Sequence, residues 1–194
     1  MDVILVEPCF PRNQREFARA LHSVGARVIG IGERPKEALD DSLRHWLTHY
    51  EQVSNVCDEA ALEKAVRFVQ SISHPERLEA TVEAHIQTAA QVRERCGIPG
   101  TSAKTAFLCR DKPSMKEVLR QAGVPCAAST GTGSPDEARA FAARVGYPLI
   151  LKPRDGAGAA GTFRVDDDAE LEAAMQKSGL GRGASVAIEE FVEG

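Results

Sequence analysis

The chain has 194 residues, of which 43% are apolar and 27% charged, and its formal net charge is −4 at pH 7. This length predicts one large domain or two small ones, and the composition is that of a chain with a buried core. The acidic balance and the 5% aromatic content exclude the basic, base-stacking surface that a nucleic acid partner would need.

The first hundred residues alternate short apolar runs with helical patterns. We predict strands at 3–6, 27–31, 52–56 and 77–81, and helices at 14–24, 36–47, 84–95 and after Asp58. This alternation predicts a parallel sheet with helices on both faces. His45 and His49 are four residues apart, and we expect them on an amphipathic helix in surface or packing roles rather than as metal ligands. The turn after the first strand, 7–11, lacks glycine, so we expect a scaffold or a site for a substrate other than a dinucleotide.

The pattern changes near residue 101. Asp111 is expected to cap a helix that ends at Gly123, and further helices are expected at 134–145 and 168–177. Strands are predicted at 127–130, 147–152, 162–165 and 185–192, which favours an antiparallel sheet with its helices on one side. We expect the last strand to leave an apolar edge exposed.

Residues 147–165, YPLILKPRDGAGAAGTFRV, contain a glycine-rich loop between two strands. Glycines let backbone N–H groups approach a polyphosphate, and Lys152 supplies countercharge, so the segment indicates a nucleotide site. GAGAAG fits the dinucleotide pattern, but a strand follows it instead of a helix. Protein kinases place their lysine on the strand after the loop, whereas Lys152 precedes it. A surface hairpin without a ligand stays open as an alternative.

Five motifs occur in a fixed order: RDK at 110–112, AGVP at 122–125, YPLILKP at 147–153, the glycine loop, and EEFVEG at 189–194. This combination resembles the ATP-grasp superfamily. The resemblance covers 110–194 closely and the preceding residues by topology alone. It implies a Rossmann-like pre-ATP-grasp α/β domain at 1–108, followed at 109–194 by the first half of an ATP-grasp α+β fold.

The resemblance implies roles for two lysines and a loop. Lys112 and Lys152 would contact the α- and β-phosphates of ATP, and the loop would close over them with Gly156, Gly158 and Gly161. The alternatives are a solvated lysine at a helix start for Lys112 and a lysine that extends from a strand end into water for Lys152. Lys116, one turn beyond Lys112, is expected to be solvated.

The EEFVEG motif would hold the adenine. By resemblance, Glu189 would accept from its amino group, and the backbones of Glu190 and Val192 would supply the hinge hydrogen bonds. Phe191 would point to the core, and Ile150 would pack against the adenine face. The two glutamates could instead be a solvated strand end.

The resemblance also implies an activity. ATP would convert a carboxylate to an acyl phosphate, and an amine would displace the phosphate, as in amino-acid or dipeptide ligases. The alternatives are an enzyme similar to biotin carboxylase or carbamoyl-phosphate synthase, and a non-catalytic nucleotide-binding module. We expect the Mg²⁺ ligands, and the groups that complete the catalyst, beyond residue 194. This segment alone is therefore expected to be inactive, and no residue in it is assigned a catalytic role.

The expected setting follows from composition and resemblance together. The partners would be ATP and small carboxylate and amine substrates, with a homodimer as a further expectation. No apolar run reaches the ~18 residues of a membrane span, so we expect no membrane partner. The five cysteines are odd in number, widely spaced and without a C-x-x-C pair, which favours reduced thiols in the cytoplasm over disulfides or zinc.

Overall fold

The structure is a computed structural model that describes residues 1–154 and 161–193. Two compact units divide the chain, Met1–Phe107 and Leu108–Gly194. That each unit is a separate domain with its own role stays a prediction. No helix in the described residues is long and apolar enough to cross a membrane.

The first unit contains a parallel sheet flanked by helices. Its strands are β1 (Asp2–Val6), β2 (Arg27–Gly32), β3 (Leu47–Gln52) and β4 (Pro75–Glu79). The helices are α1 (Arg15–Ser23), α2 (Asp41–Trp46), α3 (Glu59–Ile72), α4 (Glu83–Arg95) and α5 (Ala103–Arg110). The strand order is β3-β2-β1-β4 and every pairing is parallel, which confirms the predicted sheet.

Helices cover both faces of this sheet because four successive residues of the interior strand β1, 3–6, are apolar and buried. Successive side chains of a strand point to opposite faces. Ile4 and Val6 pack into one core cluster with residues of α3 and α4, whereas Val3 and Leu5 pack into another with residues of α1 and α2. A fully buried β1 is what a parallel sheet with two covered faces requires.

Two predicted elements of the first unit are wrong. The third strand is Leu47–Gln52 rather than 52–56, and the helix predicted at 36–47 is reduced to Asp41–Trp46 after a short 3₁₀ turn. Asp40 starts this helix late, because its side chain accepts from the N–H of Leu43 at 2.9 Å. His49 consequently lies in β3 beside Glu51, not on a helix with His45. Helix α5 had no counterpart among the predicted elements.

The second unit contains an antiparallel sheet. Its strands are β5 (Ser129–Thr132), β6 (Leu149–Pro153), β7 (Phe163–Val165) and β8 (Val186–Glu190). Its helices are α6 (Lys112–Gln121), α7 (Pro135–Val145) and α8 (Asp168–Ser178). The order is β5-β8-β6-β7 and all pairings are antiparallel, as predicted. The expected exposed edge at the last strand is wrong, because β8 bonds to β5 on one side and β6 on the other.

The two faces of this sheet differ in character. Leu149, Leu151 and Ile188 are fully buried in a core shared with α7 and α8. Ile150 and Lys152 alternate with the two leucines and therefore lie on the opposite face, where both are half-buried. The face without α7 and α8 carries the polar side chains described below.

This division predicts different costs for neighbouring substitutions. Leu151→Ala is expected to lower the free energy of unfolding by about 2–5 kcal/mol, because it leaves a cavity in the core. Ile150→Ala, on the half-exposed face, is expected to cost about 1 kcal/mol. Urea denaturation of both variants measures the difference. Equal losses would contradict the assignment of the two faces.

Candidate functional site

One carboxylate in the second unit lies between two lysines. Glu189, near the end of β8, pairs in register with Ile150 of β6, and Lys152 follows on the same face. The Nζ of Lys152 donates to Oε1 of Glu189, and the Nζ of Lys116 in α6 donates to Oε2. The three side chains are only 13–19% exposed. We call Lys116, Glu189 and Lys152 the lysine–glutamate group.

Helix α6 positions Lys116 over the sheet. Asp111 begins the helix, accepting from the N–H of Ser114 at 3.2 Å, and Pro113 occupies the first turn, where a missing N–H costs little. Lys112 and Lys116 are four residues apart in this helix and so lie on one side of it. The cap was predicted from the sequence and is observed.

The electrostatics of the group favour an anionic ligand. Burial opposes ionisation of Glu189, but the hydrogen bonds from Lys116 and Lys152 outweigh it and hold the pKa of its carboxyl below the usual range. The group therefore carries one negative and two positive charges at neutral pH. The three side chains are mostly shielded from water. Their net positive charge therefore attracts an anion more strongly than it would on an open surface.

A second ion pair ties α6 to the end of β6. Arg154 donates from Nε to Oδ1 of Asp111 at 2.7 Å and from Nη2 to Oδ2 at 3.1 Å. Asp111 is 7% exposed. The hydrogen bond from Arg154 outweighs burial and, with the bonds from Ser114, lowers the pKa of Asp111 to about 2. The start of the helix is thus fixed to the residue that leads into the glycine segment.

The backbone after Glu189 is held by both neighbouring strands. The N–H of Glu190 donates to the carbonyl of Ala128 at 2.8 Å, and the N–H of Phe191 donates to the carbonyl of Pro148 at 3.1 Å. The Glu190 carboxylate accepts from the N–H of Ala128 at 3.0 Å. The segment that leaves β8 is therefore anchored at its first two residues.

The comparisons with known proteins match this part of the chain. Residues 111–194 match the family described as carbamoyl-phosphate synthase L chain, ATP binding domain. The match covers less than half of the chain, and it lies in the residues whose motifs resemble the ATP-grasp superfamily. An L-arginine-specific L-amino acid ligase from Bacillus subtilis is 29% identical over 119 residues, which are 61% of this chain and 29% of that protein.

Two solved structures share the fold. The L-amino acid ligase from Bacillus licheniformis has a TM-score of 0.71 at 19% identity, covering 100% of this chain and 44% of that one. N5-carboxyaminoimidazole synthetase from Staphylococcus aureus, complexed with ADP, has a TM-score of 0.75 at 16% identity, covering 99% and 48%. The chain thus spans less than a third of the first curated relative and under half of these two structures.

The expectation that Lys116 is solvated is wrong, because its side chain is only 16% exposed. Lys116 contacts Glu189, which is 73 residues further along the chain. Its spacing of four from Lys112 was the available signal, because it places both lysines on one side of a capped helix. The site residues Ile150, Lys152 and Glu189 do come together. Their binding roles, and that of Lys112, stay predictions.

By resemblance Phe191 is expected to point to the core, and this stays a prediction. The residue directly follows β8, which ends at Glu190. Phe191 is half-buried, and the guanidinium of Arg164 lies 4.5 Å from its ring centroid. Val192 is exposed. Whether its backbone and that of Glu190 act as an adenine hinge stays a prediction.

The glycines of the ATP-grasp loop are described only in part. Gly156 and Gly158 lie outside the described residues. Gly161 has φ +71°, and a Cβ there would lie 3.1 Å from Cγ of Pro153. The backbone angle therefore favours glycine at this position, and any larger residue would also press against the ring of Pro153.

The described residues do not by themselves fit a magnesium site. Residues 1–154 and 161–193 contain no group of three or more His, Cys, Asp and Glu side chains that could hold a metal ion. Mg²⁺ neutralises phosphate charge when it is bound with ATP. In the residues described, countercharge comes from lysines.

Proposed function

We propose that the native protein containing this chain is an ATP-dependent ligase that joins a carboxylate to an amine. The lysine–glutamate group carries this proposal, because it places two shielded ammonium groups on the sheet face opposite α7 and α8. In the sequence, the glycine segment comes soon after Lys152, and backbone N–H groups of glycine-rich segments suit a polyphosphate. The amino acid ligase relatives support the reaction type.

The nucleotide would enter by exchanging partners with Glu189. Lys152 and Lys116 now donate to the carboxylate, and the phosphates of ATP would offer them a more highly charged acceptor. Lys112, on the same side of α6 as Lys116, would add a third ammonium. Glu189, once released, would accept from the adenine amino group as Ile150 packs against the ring. Charge-assisted hydrogen bonds of this kind are about twice as strong as neutral ones.

The chemistry is two successive displacements. A carboxylate oxygen attacks the γ-phosphorus of ATP, the bond from phosphorus to the β,γ-bridging oxygen breaks, and ADP leaves with that electron pair. The amine nitrogen then attacks the acyl carbon, phosphate departs, and the nitrogen loses a proton. Fixed ammonium groups stabilise the negative charge that develops on the phosphates.

We propose an amino acid as the carboxylate substrate, because amino acid ligases occur among both the curated relatives and the solved structures. The second candidate is a carboxylating or carbamoylating enzyme that activates bicarbonate, supported by the carbamoyl-phosphate synthase family match. The third candidate is a non-catalytic nucleotide-binding module.

An acyl phosphate trap separates the three candidates. The native protein is incubated with ATP, Mg²⁺ and hydroxylamine, with either an amino acid pool or bicarbonate, and both ADP and hydroxamate are measured. We expect ADP release that depends on the amino acids and yields the amino acid hydroxamate. ADP release that depends only on bicarbonate would favour the second candidate. Saturable ATP binding without either dependence would overturn the ligase proposal.

A further inference from the structure

Two adjoining cavities open at one edge of the parallel sheet in the first unit. They measure about 400 and 300 Å³ and share Phe10 and Arg34 in their linings. This is within the range of small-molecule sites. All of their lining residues lie in the first unit.

The sheet topology makes this edge a place for a ligand. The chain runs from β1 through β2 to β3 on one side, and β4 pairs with β1 on the other, so the order reverses at β1. Ligands of open α/β sheets bind beyond the carboxyl ends of the strands at such a reversal. Glu7 directly follows β1, Glu33 directly follows β2, and His85 lies in the first turn of α4, which comes after β4.

The first cavity has an acidic end. Its lining includes Glu7, Glu33 and His85. Glu7 is only 5% exposed, and its Oε2 accepts from the N–H of Glu33 at 2.9 Å. Glu33 in turn accepts from the N–H of Val56 at 3.0 Å, so both carboxylates are fixed in place. The Nδ1 of His85 is buried, with no hydrogen-bond partner among the described residues.

The second cavity has a basic end. Arg12, Arg15 and Arg34 line it together with Asp40. Arg15 is neutralised by Asp40, to which it makes two hydrogen bonds of 3.0 Å. The described residues give Arg12 and Arg34 no ion pair, although Arg34 is balanced in part by Glu7. Burial raises the pKa of Glu7, and the charge of Arg34 partly opposes that rise. Both guanidinium groups line this cavity.

We propose that the two cavities together bind a small zwitterion, with its ammonium group between Glu7 and Glu33 and its anionic group at Arg12 and Arg34. The class is a primary amine with a carboxylate or phosphate a few bonds away. Glu7 and Glu33 disfavour a polyphosphate, which would meet like charge at this end. The binding site stands on the cavities; its use as the substrate site rests on the proposed function.

Binding is tested by calorimetry on the native protein, without nucleotide and again with a nonhydrolysable ATP analogue. The probes are α-amino acids tested one at a time, the N-acetyl and amide derivatives of the amino acid that binds best, and phosphoethanolamine. We expect saturable binding that weakens at least tenfold when either the amine or the anionic group is masked. Phosphoethanolamine binding more tightly than every amino acid would assign phosphate as the anionic group.

Two variants locate the binding. Glu33→Gln keeps an oxygen for the N–H of Val56, and Arg34→Met keeps an apolar stem, so both are expected to fold. Each is expected to weaken binding of the best zwitterion about tenfold. The controls Glu37→Gln and Arg77→Met, at exposed positions that do not line either cavity, are expected to change the affinity less than twofold.

Zwitterion binding that both cavity variants leave unchanged, or no saturable binding of any probe, would overturn this inference. Binding that depends on both variants, in a protein that forms no acyl phosphate, would uphold the site and refute the ligase proposal. Acyl phosphate formation without zwitterion binding at the cavities would support the ligase proposal and refute the site. The failure of one proposal is therefore distinguishable from the failure of the other.

Discussion

Lys152→Met and Lys116→Met are each expected to weaken ATP binding by the native protein roughly ten- to hundredfold. Each substitution removes one of the two ammonium groups that Glu189 holds on the open face of the sheet. A lost charge-assisted hydrogen bond to phosphate corresponds to about 1.5–3 kcal/mol. The apparent dissociation constant for ATP, measured by calorimetry, gives the effect directly.

A matched control separates this role from a general loss of charge. Lys177→Met removes an exposed lysine at the end of α8 and is expected to leave ATP affinity within about twofold. Unfolding curves of all three variants check that they remain folded. A Lys116→Met variant with unchanged affinity would confine the lysine to pairing with Glu189, and an unchanged Lys152→Met would refute the phosphate site.

Asp111→Asn is expected to lower the free energy of unfolding at pH 7 by about 1–2 kcal/mol. Asparagine is also a good helix cap, so this change removes the ion pair with Arg154 while keeping the start of α6. The pKa of Asp111 is about 2, below its ordinary value of 3.8. Its shift corresponds to slightly over 2 kcal/mol, reduced because the Arg154 side chain is 41% exposed and screened by water.

The pH dependence follows from this lowered pKa. The stabilisation is fully present above about pH 5, where Asp111 is ionised in both the folded and the unfolded chain. It declines as the pH falls through the ordinary value of 3.8 and is lost as the pH falls through about 2. The difference between native protein and Asp111→Asn should therefore shrink from pH 5 to pH 2. Denaturant unfolding across this range measures it.

Asp111→Ala tests the cap separately. It removes both the ion pair and the cap, so a further loss of about 1 kcal/mol is expected beyond Asp111→Asn. Asp136→Asn, at a 93% exposed side chain paired only within its own helix, should change stability by less than about 0.5 kcal/mol. A constant difference between native protein and Asp111→Asn down to pH 2 would contradict a role for the ionised carboxylate.

Local signals in the sequence were sufficient for most helices. Asp58, Ser134 and Asp167 each accept hydrogen bonds from the N–H groups of the helix that follows, and each of these starts is readable as a polar residue before an apolar pattern. The hairpin of β6 and β7 was equally readable, because alternating apolar residues flank the glycine loop.

Strand pairing was less readable, because it depends on a distant partner. Val53 and Val56 suggested a strand, yet they reach the core from a loop, while Leu47–Gln52 pairs with β2. The error at β8 has the same origin: its apolar run does not indicate that β5 and β6 bond to it on both sides. Lys116 is the corresponding case in the site, since its environment depends on Glu189.

Because Glu189 accepts from both Lys116 and Lys152, its carboxylate would compete with the phosphates of any nucleotide for these two lysines. A ligand at this face does not meet two free cations; it must replace a carboxylate that already holds both. The exchange trades one shielded ion pair for another, so the binding free energy is the difference between two large terms and stays moderate. Under the proposed function, the same carboxylate would recapture the lysines when a spent nucleotide departs.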